Sequence, residues 1–186
     1  MKKAVITAVA LTLVLCLTVG GTLAWLMDKT QTVTNTFTAG DVDIKLKETT
    51  GSSYKMVPGN VIAKDPKVTV MADSEACWLF VKVEKVNDVE KFLSYDIVGA
   101  GWTALNGETG VYYREVADTD ADQEFSVLNG DKVTVNTSVT KGDMDALTDA
   151  TQPKLTFTAY AVQKANVADV TTAWGYVQSA VVGGVQ

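Results

Sequence analysis

A chain of 186 residues that is 47% hydrophobic and 20% charged, with only 3 prolines, suits one globular domain and neither a disordered nor a collagen-like protein. It contains no histidine, the commonest general base and a usual ligand of catalytic zinc, which argues against triad hydrolases and ordinary zinc enzymes. A net charge of −6, a single arginine (Arg114) and a pI of about 4.6 oppose phosphate neutralisation and exclude nucleic acid as a natural partner.

Lys2 and Lys3 precede an apolar run from Ala4 to Val19, which leads into Gly20, Gly21 and Thr22-Leu23-Ala24. This is the pattern of a secretory signal, with small residues Thr22 and Ala24 at positions −3 and −1 and Trp25 as the first residue after cleavage. The rival reading is a retained anchor, in which the uncleaved segment is the only route to a membrane. Lipidation at Cys16 is disfavoured because Leu15 stands where a small residue is needed. Losing residues 1–24 removes two lysines and no acid, so the net charge moves from −6 to −8. Cys77 is then the only cysteine, which rules out an intrachain disulfide and points to a buried structural thiol.

Residues 25–38 are polar and rich in threonine, lack glycine and proline, and carry spaced apolar side chains at Leu26, Val33 and Phe37. Such a segment can extend as a strand yet is too sparse to fold alone. From residue 39 onward, period-two alternation recurs at Val42, Ile44 and Leu46, at Val68 and Val70, and at Leu79, Val81 and Val83. It returns at Phe125 and Val127, at Val133 and Val135, and from Leu155 to Ala161. Turn signals separate these runs at Pro58-Gly59-Asn60, Asp65-Pro66, Asn106-Gly107, Asn129-Gly130-Asp131 and Lys141-Gly142-Asp143, and Asn129-Gly130 reads as a hairpin. Asp88 to Ser94 reads as a short helix. A second turn or two is capped by Asn166 and packs Trp174, and the tail from Ala180 reads as frayed or as an edge strand. The expected fold is all-β: a two-sheet antiparallel, jelly-roll-like sandwich over 39–186, with one or two short helices, behind a signal peptide (1–24) and a strand segment suited to donation (25–38).

No GxSxG, GxxxxGK[ST], GxGxxG, CxxC or HExxH pattern is present, so no catalytic residues stand out. Asp118, Asp120 and Asp122 open like a calcium loop, but Gln123 occupies the position of the turn glycine and Asn129 that of the closing glutamate. A solvated acidic loop is the plainer reading, with weak calcium binding as the alternative and no other cofactor expected. Trp102, Tyr112 and Tyr113 invite comparison with a carbohydrate platform, although aromatics near hairpins are more often core.

Gly20 to Asp28 and then Asn35 to Ile44 resemble the opening of the TasA/camelysin family of exported bacterial proteins. Met56-Val57-Pro58-Gly59-Asn60 is similar to its PGD turn, and Leu155 to Gln163 with Ala173-Trp174 is similar to its closing strand and helix. The resemblance implies a jelly roll, processing by a SipW-type signal peptidase, and secretion to the cell surface or biofilm matrix. It also implies a homo-polymeric fibre in which an N-terminal strand passes to the next subunit. Some relatives carry a metallo-endopeptidase label, from which this chain departs by lacking histidine and HExxH. The resulting expectation is a non-enzymatic structural subunit. The alternatives are a monomeric adhesin or carbohydrate-binding sandwich and, less favoured, a camelysin-like metalloprotease.

Overall fold

The structure is a computed structural model that describes residues 38–39, 42–51 and 54–183. Thr22, Ala24, Trp25, Leu26, Val33 and Phe37 lie outside these. The described residues belong to the unit spanning residues 33–186.

In chain order the elements are β1 (Thr38–Ala39), β2 (Ile44–Lys47), β3 (Val61–Ala63), β4 (Lys67–Val70), β5 (Cys77–Val86), α1 (Val89–Phe92), β6 (Leu93–Ser94) and a 3-10 turn at Val98–Ala100. There follow β7 (Thr103–Ala104), β8 (Val111–Val116), β9 (Gln123–Ser126), β10 (Lys132–Val135), α2 (Lys141–Asp145), β11 (Lys154–Gln163) and α3 (Val170–Gly183). One layer is a five-stranded sheet ordered β1-β11-β5-β8-β7. The facing layer is hydrogen-bonded as two three-stranded sheets, β2-β4-β9 and β3-β10-β6, so the expected two-sheet sandwich has three sheets. All pairings are antiparallel except β1 with β11.

β5 organises both layers because it is buried on both faces. Its residues Cys77, Leu79, Val81 and Val83 point into the sandwich and join Val68, Val70, Val133, Phe157, Ala159 and Ala161 in one core. Across the β5–β11 ladder Leu79 faces Ala161, Val81 faces Ala159 and Val83 faces Phe157. For Leu79 and Val81 the partner is an alanine, which leaves room for the facing layer to interdigitate. The alternate residue Phe80 points the other way, into a second core with Tyr160, Val162, Ala173, Trp174 and Val177. There Trp174 of α3 lies 5.2 Å from Phe80 and 5.7 Å from Tyr160 between ring centroids. Each such fully buried side chain contributes about 1.5–3 kcal/mol.

Four local expectations differ from the structure. Asn129-Gly130 does form a turn, closed by Asp131 N–H donating to the Leu128 carbonyl at 3.1 Å with Gly130 at φ 69°. It is not a hairpin, because β9 pairs with β4 while β10 pairs with β3 and β6, so the turn carries the chain between sheets. Lys141-Gly142-Asp143 begins α2, since the Thr140 side chain and Asp143 form a reciprocal capping box. α3 is a full 14-residue helix that takes in the tail to Gly183. Its first turn is capped by Asp169, which accepts the Thr172 N–H at 2.8 Å, whereas Asn166 lies in the preceding turn at φ 62°.

Candidate functional site

The chemistry-bearing feature of this molecule is backbone rather than side chain. β11 is bonded to β5 along all ten residues, but on its other side, among the described residues, β1 covers only Ala161 and Val162. Among the described residues, Lys154 to Tyr160 have no strand partner there, so alternate N–H and C=O groups face outward. Leu155, Thr156 and Phe157 also line a cleft of about 430 Å³, whose opposite wall is Leu46, Lys47 and Glu48 at β2. The gap between the two layers therefore opens beside a strand edge that has no partner among the described residues.

The wall of that cleft is held by polar contacts. Asp65 accepts the Thr49 and Thr50 backbone N–H groups, each at 2.9 Å, and the Thr49 hydroxyl. These donors, the Thr49 hydroxyl first, hold its carboxyl well below the usual carboxylate range. Lys64, buried at 9% exposure, donates to Glu48 at 2.7 Å and sits 5.3 Å and 5.6 Å from the Tyr54 and Phe157 ring centroids.

Of the residues singled out in the sequence, Asp118, Asp120 and Asp122 lie exposed between β8 and β9. Asp122 accepts the Ala72 N–H at 2.9 Å. Among the described residues no group of three or more Cys, Asp and Glu side chains is gathered to hold an ion, and these three aspartates are no exception. The aromatic platform is not formed. Trp102 is 1% exposed inside the sandwich and donates its indole N–H to the Ser126 carbonyl at 2.8 Å. Tyr112 packs on that same core, and Tyr113 packs on the opposite one. Cys77 is free and fully buried, and burial pushes its thiol up to about 12, so it is a core residue and not a nucleophile.

Alternation alone did not reveal the open edge. The signal was composition: from Leu155 to Gln163 there is no charged residue and no proline, the two devices that usually guard an edge.

The fold is an all-β sandwich. Residues 1–91, just under half of the chain, match the family model described as camelysin metallo-endopeptidase, which bears out the resemblance to the TasA/camelysin family. No curated protein and no solved structure matches the chain significantly. The family description implies a metal, but the chain lacks histidine, its Cys77 thiol is sealed in the core, and no metal-holding group exists among the described residues. The described residues do not fit a zinc centre, and no catalytic step is assigned to them. Among the described residues no helix is long and apolar enough to cross a membrane.

Proposed function

We propose that this chain is a secreted, non-enzymatic structural subunit of an extracellular fibre or biofilm matrix. A SipW-type signal peptidase releases it between Ala24 and Trp25, and the segment from Trp25 to Phe37 is donated as a strand to the next copy. The observation that carries this reading is the edge of β11 from Leu155 to Tyr160, which is uncharged, proline-free and without a strand partner among the described residues. An added strand satisfies those N–H and C=O groups, while Val33 and Phe37 fill the gap between layers. The thirteen residues from Trp25 to Phe37 span at most about 45 Å when extended, enough to follow this edge in a neighbouring molecule. Because donor and acceptor are different surfaces, the association is heterologous and grows into a filament.

Deleting residues 25–36 from the mature chain is expected to leave a folded monomer, checked by circular dichroism, that forms no filaments under the electron microscope. Filaments of normal length from that truncation would contradict strand donation.

A further inference from the structure

The strand pair that forms the spine of the sandwich has chemically opposite ends. β5 and β11 run in register from Cys77 opposite Gln163 to Val86 opposite Lys154, a length of about 30 Å at the usual strand rise. Val116 pairs with Cys77, so the turn that follows β8 hangs from the first end. There it is pinned by a bridge between Ser74 and Thr119, with the Asp73 N–H donating to the Thr119 carbonyl at 2.8 Å. The pinned turn displays Asp118, Asp120 and Asp122, and Asp73 and Glu75 stand beside it. All five are exposed, and among the described residues none forms an ion pair.

At the Lys154 end lies a cleft of about 650 Å³ between β11, the β3-β10-β6 sheet and the segment around Met144 and Leu147. Lys55, Lys64 and Lys154 line it, its floor is apolar, and no Asp or Glu contributes to it. In a chain with 22 acidic and 16 basic side chains this carboxylate-free lining is exceptional. Lys55 and Lys154 have no ion-pair partner among the described residues.

We infer that copies of this chain meet head to tail through these two ends: the acidic turn bearing Asp118 and Asp120 on one molecule docks in the lysine-lined cleft of the next. The inference rests on the fibre reading and deepens it. One further observation selects a second copy as the occupant. A mature chain of net charge −8 has to offset its own repulsion in order to polymerise, and this contact sets five acids that form no ion pair among the described residues against Lys55 and Lys154, which form none either, while Lys64 is held by Glu48. The contact steers and sets register, and strand pairing then holds it.

The test is a charge swap in the full mature chain. One variant carries K55E and K154E, the other D118K and D120K; all four positions are exposed, and Lys64 is left in place with Glu48. Each variant alone is expected to elongate about tenfold more slowly than the unaltered chain, and an equimolar mixture to recover to within about twofold, since every contact in an alternating filament is again complementary. Elongation of the unaltered chain should also slow as salt is raised from about 0.01 to 1 M. Normal elongation by either variant alone overturns the inference while leaving strand donation standing. Normal elongation of only the D118K/D120K variant would show that the cleft takes some other anion and would equally overturn it. If the unaltered chain forms no filaments, the fibre reading fails, and sedimentation of the same mixture at low salt decides the contact. A one-to-one complex there supports the inference, and two independent monomers overturn it.

Discussion

From Leu155 to Gln163, β11 presents threonines, alanines and apolar side chains with no charge and no proline, while β8, across the same sheet, carries Arg114 and Glu115 and is partly covered by β7. The turn that leads into β8 is fixed against β5 by local chemistry. Gly110, at φ 74°, turns the chain back so closely that its carbonyl accepts the Val83 N–H at 2.7 Å, and a Cβ there would stand 2.5 Å from the Val83 carbonyl oxygen. In the segment ahead of β7, Asp96 accepts the Gly99 N–H and the Asn129 side-chain amide, each at 2.9 Å. Glu115 also pairs with Lys164. Among the described residues each margin of the sheet is covered over two residues, β8 by β7 and β11 by β1, so the difference between them lies in the charged side chains of β8 and the uncharged ones of β11.

That contrast can be broken from the β11 side. Phe157→Ala removes a ring that is 4% exposed and wedged against Val83 in the sandwich, and is expected to cost about 3–5 kcal/mol in chemical denaturation. It should weaken assembly even among the molecules that remain folded, because Phe157 also lines the cleft beside the acceptor edge. At the β5–β8 pairing, away from the β11 edge, Gly110→Ala forces a left-handed φ on an alanine and a clash with backbone, with an expected loss of about 1–3 kcal/mol. Filament growth per folded molecule should stay normal for Gly110→Ala. Equal loss of growth in the two variants would mean that the β11 edge has no distinct role in growth.

A finer comparison uses acid. Hydrogen-bond donors depress the carboxyls of Asp65, beside the β11 cleft, and Asp96, near β7, so each prefers ionisation in the folded state. Their contribution is complete above the unfolded carboxyl value of about 3.9 and is lost as pH falls below it. The melting temperature is therefore expected to drop as pH falls through about 4. Asp65→Asn and Asp96→Asn should each flatten that drop, and a variant with an unchanged pH profile would remove its aspartate from the account.

How far these features are legible in the sequence depends on the range of the interactions that create them. The strands at Ile44, Val68, Leu79, Val133 and Leu155 show in alternation because apolar side chains recur on the face that enters the sandwich, and the helix expected from Asp88 to Ser94 forms over Val89–Phe92, while Leu93 and Ser94 pair instead as β6. The apparent hairpin at Asn129-Gly130 misleads because turn chemistry is local, whereas the sheet a strand joins is decided by long-range packing. α2 is hidden because Gly142 suggests a turn until the Thr140 and Asp143 capping box is recognised. The Leu155 to Gln163 run is readable as a strand, but its status as an edge emerges only once β5 is found on one side and two residues of β1 on the other. The lysine cleft gathers Lys55, Lys64 and Lys154 from distant parts of the chain, and no sequence spacing signals it.

The central claim is that β11 is the acceptor edge, and amide hydrogen exchange compares it directly between monomer and filament. Amides from Leu155 to Tyr160 that point away from β5 should exchange readily in the chain lacking residues 25–36 and become strongly protected in filaments of the mature chain, while those of β7 and β8 change little. Filaments in which the β11 amides exchange as fast as in the monomer would contradict the account.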